Sequence, residues 1–157
     1  MSVHEHEQAA RGTGVSTWIG TVSSTRTERT DRSGLLLAET LTSAGHPVVG
    51  RALVRDDIDA IRTTLSQVCE DASIRCALFT GGTGISPADV TIEAIEPLLD
   101  RVLPGFGELF RGLSYQEVGP AAMLSRAIAG TRDDTLVFAM PGSPAACRLA
   151  LDELILP

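Results

Sequence analysis

From Thr17 onward, short β-prone apolar runs alternate with longer stretches in which apolar side chains recur every three or four positions. Thr17-Trp18-Ile19-Gly20-Thr21-Val22 is the first such run and predicts a strand. After a polar loop, Leu36, Leu37, Thr40 and Leu41 set a helical spacing over residues 35–44, and Gly45 supplies a natural C-terminal stop. Val48–Val54 predicts a second strand. Ile58, Ile61, Leu65 and Val68 then mark one face of a helix over residues 57–69, whose positive dipole end suits Asp56 and Asp57. Residues 75–80 hold Cys76-Ala77-Leu78-Phe79, the apolar run of a strand buried on both faces. Helical spacing resumes at Asp89 and passes through Ile92, Ile95 and Leu98, with Pro97 as a kink or early end. Residues 105–125 read as short helices broken by Gly112, Gly119 and Pro120; Thr135–Met140 is a last strand, 141–144 a turn and 145–154 a closing helix.

Strands and helices in this alternation predict an α/β fold, a three-layer α/β/α sandwich around a mostly parallel sheet. Ligands of such sheets bind beyond the carboxyl ends of the strands, which directs attention to the loops after Val22, Val54, Thr80 and Met140. Residues 1–16 mix charge, Gly and Ser without periodicity and are expected to form a loosely ordered tail, with 17–157 as one domain. A length of 157 residues with 43% hydrophobic content suits a single core.

Composition narrows the chemistry. A net charge of −7 argues against general nucleic-acid binding, which needs a basic face. No run approaches the roughly 18 apolar residues of a membrane span, and the polar start does not resemble a signal peptide, so a cytoplasmic protein without membrane attachment is expected. All 13 basic residues are arginine, which excludes Schiff-base chemistry and the lysine of a P-loop. Cys69, Cys76 and Cys147 fall singly in apolar runs and read as reduced core residues. His46 reads as structural, His4 and His6 as solvated tail residues.

The segment with most chemical content is Thr80-Gly81-Gly82-Thr83-Gly84-Ile85-Ser86-Pro87-Ala88-Asp89, between a buried strand and a helix. Glycines at 81, 82 and 84 let the backbone approach a bulky ligand and turn its N–H groups toward an anion, with Thr83 and Ser86 as added hydroxyl donors. The plain alternative is a tight connection between strand and helix. It is neither a P-loop nor a dinucleotide fingerprint, since lysine is missing and the turn follows the third strand. Asp89 either caps the next helix or holds Mg²⁺ beside a phosphate, and Asp56, at the same sheet edge, is the second candidate ligand.

Thr80-Gly-Gly-Thr-Gly84, Asp89-Val-Thr91 with Glu93-Ala94, Gly105-Phe-Gly-Glu-Leu-Phe-Arg111, Ser125-Arg126-Ala127 and Pro141-Gly-Ser143 together resemble, in order and spacing, the MoaB/Mog-type molybdopterin adenylyltransferases. The resemblance runs from about Trp18 to the C-terminus. It implies attack by the terminal phosphate of molybdopterin on the α-phosphate of Mg-ATP, giving adenylylated molybdopterin and pyrophosphate. By the same resemblance Thr80, Gly81, Gly82, Thr83 and Gly84 would cradle phosphate, and Asp56 and Asp89 would serve Mg²⁺ and catalysis. Ser125 and Arg126 would lie near the pterin phosphate, and Pro141, Gly142 and Ser143 would form a ligand-facing turn. Ser125 also reads as a cap hydroxyl, Arg126 as an ion-pair partner, Phe106 and Phe110 as packing residues, and Glu108 with Arg111 as a local pair. The family implies a homo-oligomer, a trimer or a hexamer built from trimers, working with other proteins of the molybdenum cofactor pathway.

One departure stands out. Where family members commonly read Val-Ser-Asp-(Thr/Ser)-Arg after the first strand, this chain reads Val22-Ser23-Ser24-Thr25-Arg26. The lost carboxylate motivates a second expectation, a molybdopterin-binding paralogue without turnover. A third is a CinA-like nucleotide pyrophosphatase, whose turn usually reads Thr-Gly-Gly-Leu-Gly-Pro-Thr before an acidic pair; Thr83 and the single Asp89 fit it less well.

Overall fold

The computed structural model describes Ser2, Glu5 and residues 12–157. Most of the expected tail, with His4 and His6, lies outside the described residues. Its last two residues are anchored: the Val15 amide donates to His46 Nδ1 at 3.1 Å, and the Ser16 carbonyl accepts from the amides of Arg75 and Cys76 at 3.0 and 3.1 Å. His46 is thereby a structural acceptor.

Strands β1 (Thr17–Val22), β2 (Val48–Val54), β3 (Cys76–Thr80), β4 (Arg101–Val102), β5 (Ile128–Arg132) and β6 (Thr135–Met140) form one six-stranded sheet in the order β2-β1-β3-β6-β5-β4. The pairs β1–β2, β1–β3 and β3–β6 are parallel, whereas β5–β6 and β4–β5 are antiparallel. The helices are α1 (Arg32–Ser43), α2 (Ile58–Glu70), α3 (Thr91–Ile95), α4 (Pro104–Val118) and α5 (Pro144–Ala150).

The three layers follow from the two-residue period of the strands. On β3, Leu78 joins Leu37 and Leu41 of α1, Phe106 and Phe110 of α4 and Cys147 of α5 in one core. Its neighbours Ala77 and Phe79 face the other way, toward Ile61, Leu65 and Val68 of α2 and Ala94 and Ile95 of α3. Every residue of β3 is buried, as expected of a strand covered on both faces. Each fully buried Leu, Ile or Phe contributes roughly 1.5–3 kcal/mol, so the central strand and its two helical layers carry most of the fold's stability.

Several boundaries moved for local reasons. Helix α1 starts at Arg32 because Asp31 caps it, its carboxylate accepting from the Gly34 amide at 2.9 Å. Asp57 caps α2 by accepting from the Ala60 amide at 2.8 Å, which leaves Asp56 outside the helix. The apolar spacing from Asp89 resolves into a short α3 followed by a 3₁₀ turn at Glu96–Leu98. The closing helix ends at Ala150 and loosens into a π-type turn at Leu151–Ile155.

The expected mostly parallel, three-layer sheet is present, and the antiparallel β4–β5–β6 extension adds to it. Arg132 pairs with Thr135 across the turn at Asp133, which takes φ 50°, and Gly130 is required because a Cβ there would strike the Arg101 carbonyl oxygen. One expectation is corrected. The segment expected to be short broken helices contains α4, unbroken across Gly112. Phe106 and Phe110 stack at 6.2 Å, Phe106 meets Phe138 at 5.0 Å, and this packing outweighs the weak helix propensity of one glycine. A Cβ at Gly112 would meet nothing within 4 Å. Gly112→Ala is therefore expected to raise stability by about 0.5–1 kcal/mol in urea denaturation. Among the described residues no ion pair joins Glu108 to Arg111; the Arg111 guanidinium lies over Gly107 instead.

The cysteines have the environment of inert thiols. Cys76 and Cys147 are buried and Cys69 half-buried; burial pushes all three thiols up, that of Cys76 to about 12.

Candidate functional site

The register of the parallel strands brings four carboxyl ends level: Val22 is paired with Val54, Thr21 with Thr80, and Thr80 with Met140. The loops that follow enclose a cleft of about 400 Å³. It is lined by Ser23, Thr25 and Arg26 after β1, Asp56 after β2, Gly81, Gly82, Thr83, Gly84 and Asp89 after β3, and Pro141 and Gly142 after β6. Leu124 and Ser125 close its far side.

The glycine turn owes its course to contacts on its outer side. The Gly81 amide continues the ladder to the Met140 carbonyl at 3.0 Å, and Gly81 and Gly82 take φ of 97° and 63°. Thr91 then holds two successive carbonyls, that of Gly81 through Oγ1 at 2.8 Å and that of Gly82 through its amide at 2.9 Å. Arg126 Nε holds the third, Thr83, at 2.9 Å. In a trans peptide the C=O of one residue and the N–H of the next point in opposite directions. Fixing these three carbonyls on one side turns the N–H groups of Gly82, Thr83 and Gly84 to the other, and none of these three has an acceptor among the described residues. Unpaired amides in succession at a cleft wall form a concave donor set for an anion.

Both candidate carboxylates stand over this turn. Asp56 Oδ2 accepts from the Ser24 amide at 2.6 Å, and Ser24 Oγ in return accepts from the Asp56 amide at 3.1 Å. Its Oδ1 lies so close to Gly82 that a Cβ there would come within 3.2 Å. Asp89 Oδ2 accepts from the Ser86 amide at 3.0 Å and would lie 2.6 Å from a Cβ on Gly84. Asp89 does not cap the next helix: Val90 holds that position, with no side-chain capping bond. Each carboxylate is anchored through Oδ2, and each Oδ1 has no hydrogen-bond partner among the described residues.

Three of the residues singled out from the sequence sit behind the cleft. Thr80 is fully buried, donating to the Pro141 carbonyl at 3.0 Å with Cys147 Sγ 3.1 Å away. Ser143 caps α5, accepting from the Ala146 amide at 3.1 Å. Arg126 turns away from the cleft toward Thr83 and Asp89 carbonyls and the Glu93 carboxylate, whose pKa its hydrogen bond lowers. Ser86 also stays outside, bonded within its own loop.

Arg26 was not among the residues singled out as ligands, yet it is the one cationic side chain among those lining the cleft. Its Nη2 donates to the Gly142 carbonyl at 3.0 Å, and its Nη1 lies 3.4 Å from Ser33 Oγ and 3.9 Å from Asp31. Ser33 Oγ donates to the same carbonyl at 2.6 Å, so the loops after β1 and β6 are tied together. Two signals were available: Arg26 lies in the loop leaving the carboxyl end of the first strand, and it matches the arginine of the Val-Ser-Asp-(Thr/Ser)-Arg pattern.

Comparison with known proteins agrees with this geometry. The model of the family described as "Probable molybdopterin binding domain" matches residues 16–157. Molybdenum cofactor biosynthesis protein B of Bacillus subtilis is 48% identical over 158 residues, covering 100% of this chain and 92% of that protein. A crystal structure of a molybdenum cofactor biosynthesis protein B superposes with a TM-score of 0.90 at 50% identity, covering 92% of this chain and 91% of the other. The tungsten cofactor synthesizing protein MoaB from Pyrococcus furiosus gives 0.81 at 37% identity, over 89% of each chain. With the family match running from residue 16 to 157 and the fold superposing over about nine-tenths of the chain, the chain belongs to the MoaB family of molybdopterin-binding, molybdenum cofactor biosynthesis proteins.

Proposed function

We propose that this protein adenylylates molybdopterin, using Mg-ATP and releasing pyrophosphate. The observation that carries the proposal is the run of unpaired amides at Gly82, Thr83 and Gly84 beneath two anchored carboxylates in one cleft. The amides suit phosphate oxygens, which they would bind without adding net charge to an already acidic chain. Arg26 adds a fixed positive charge at the same wall.

Asp56 and Asp89 suit Mg²⁺, a hard cation held by one or two carboxylates and completed by substrate phosphates. No group of three or more metal-ligating side chains occurs among the described residues, so substrate phosphate oxygens and water would complete the shell. The free Oδ1 of each carboxylate is the donor we assign to it. When bound, Mg²⁺ neutralises charge on the phosphates as the α–β bond breaks. The chain's own share is to orient two anionic substrates by backbone amides and to keep the reacting phosphates in line. Ser125 and the Pro141-Gly142 wall bound the remaining side of the cleft, where we place the pterin.

Ser24 favours a second reading, a molybdopterin-binding protein without turnover: it stands where the Val-Ser-Asp-(Thr/Ser)-Arg pattern that the chain resembles has an aspartate, and it is bonded to Asp56 rather than adding a carboxylate beside it. Purified protein mixed with molybdopterin, ATP and Mg²⁺ separates the two. Adenylylated product with stoichiometric pyrophosphate is expected; tight molybdopterin binding with no ATP consumed would select the second reading.

Exposed Leu109, Tyr115, Val118 and Met123, on α4 and the 3₁₀ turn after it, are the apolar side chains we assign to self-association as a trimer or hexamer. No helix among the described residues is long and apolar enough to cross a membrane. We place the activity in the cytoplasm, alongside other proteins of the molybdenum cofactor pathway.

A further inference from the structure

We propose that Arg126 is a positioning residue: it shapes the glycine turn and the Asp89 loop from outside and does not itself bind the ligand. The proposal rests on the reading of the cleft as a site for Mg-ATP. Of the five N–H bonds of its guanidinium, Nε donates to the Thr83 carbonyl at 2.9 Å, Nη2 donates to the Asp89 carbonyl at 3.1 Å and to Glu93 Oε2 at 3.2 Å, and Nη1 donates to Glu93 Oε1. Four of five donors are thus committed, and none of the cleft-lining residues is Arg126.

What those bonds hold is the machinery itself. The Thr83 carbonyl is the last of the three whose outward orientation turns the Gly82 to Gly84 amides inward. The Asp89 carbonyl belongs to the residue whose carboxylate overhangs Gly84. Glu93, on α3, grips the other edge of the guanidinium and sets its plane, so turn, loop and helix meet on one rigid fork. Lysine has the charge but a single nitrogen, which cannot satisfy these separated acceptors together.

That difference supplies the test. Mg-ATP affinity is measured by titration calorimetry for the wild type, Arg126→Lys, Arg126→Gln and Glu93→Ala. Hydrogen exchange of the Thr91 amide, which closes on the Gly82 carbonyl, is followed in the ligand-free proteins. Lys and Gln variants are expected to lose affinity alike, about 10- to 100-fold, as seen when outer partners of a site are removed. Glu93→Ala should lose less. In all three the Thr91 amide should exchange at least about tenfold faster while β3 amides keep their protection. Wild-type affinity in Arg126→Lys alone would mark a direct charge role and overturn the proposal. Unchanged Thr91 exchange would do the same, as would equal acceleration throughout β3, which would mark a general loss of stability. Should the wild type fail to bind Mg-ATP, the adenylylation reading falls, whereas the exchange measurements still decide whether Arg126 holds the turn.

Discussion

Asp89→Asn is expected to lower Mg-ATP-dependent adenylylation at least about 100-fold, the equivalent of the several kcal/mol that a metal ion contributes when it neutralises transferring phosphate. The substitution is close to isosteric. The Asn carbonyl can still accept from the Ser86 amide, so the loop keeps the bond that now sits at 3.0 Å, and what disappears is one negative charge over Gly84. The melting midpoint should therefore move little, because the residue is half-exposed and no helix cap is lost. Asp56→Asn should behave similarly, its carbonyl retaining the Ser24 amide. Steady-state pyrophosphate release over a Mg²⁺ titration is the decisive measurement. If the carboxylates hold the ion, excess Mg²⁺ restores part of the lost rate; activity within a few-fold of wild type at limiting Mg²⁺ would remove Asp89 from the site.

How much of this was legible in the sequence depends on how far apart the partners lie. Elements whose evidence is local read well: β1, β2 and β6 come from apolar runs, and α1 and α2 from the three-to-four-residue spacing of their buried faces. The position of the cleft also follows from a general rule about strand ends, with no contact known in advance. Strand β5 was hidden because Ile128-Ala129-Gly130-Thr131-Arg132 has Ala and Gly at its centre and no sustained apolar run, and its identity depends on pairing with β6. Helix α4 was hidden by Gly112, since only the buried Phe106 and Phe110 show that packing overrides one poor helix former. The two arginines mark the sharper limit. Arg126 reaches carbonyls 43 and 37 residues away, and Arg26 one 116 residues away. Main-chain acceptors leave no side-chain signature, so a motif can place an arginine near a ligand without distinguishing a ligand contact from a brace behind it.

Gly81→Ala is the substitution with the largest expected cost in stability, about 2–4 kcal/mol from backbone strain and overpacking together. At φ 97° an L-residue is strained before any contact is counted. A Cβ would also strike the carbonyl oxygen of Val22, a main-chain atom of β1 that cannot yield without disturbing the pairing of Val22 with Val54. Nor can the turn retreat, because Gly142 packs on the opposite side, so closely that a Cβ there would lie 3.0 Å from the Gly81 Cα. Gly84→Ala meets a different obstacle, the Asp89 carboxylate at 2.6 Å, which is a side chain that can swing aside. Urea denaturation with and without Mg-ATP should therefore separate the pair. Gly81→Ala loses stability in both conditions, whereas Gly84→Ala melts close to wild type alone but loses the stabilisation that Mg-ATP confers. A Gly81→Ala protein as stable as wild type would mean that the turn can be rebuilt around a side chain, and backbone closeness would then no longer explain why three glycines stand at this sheet edge.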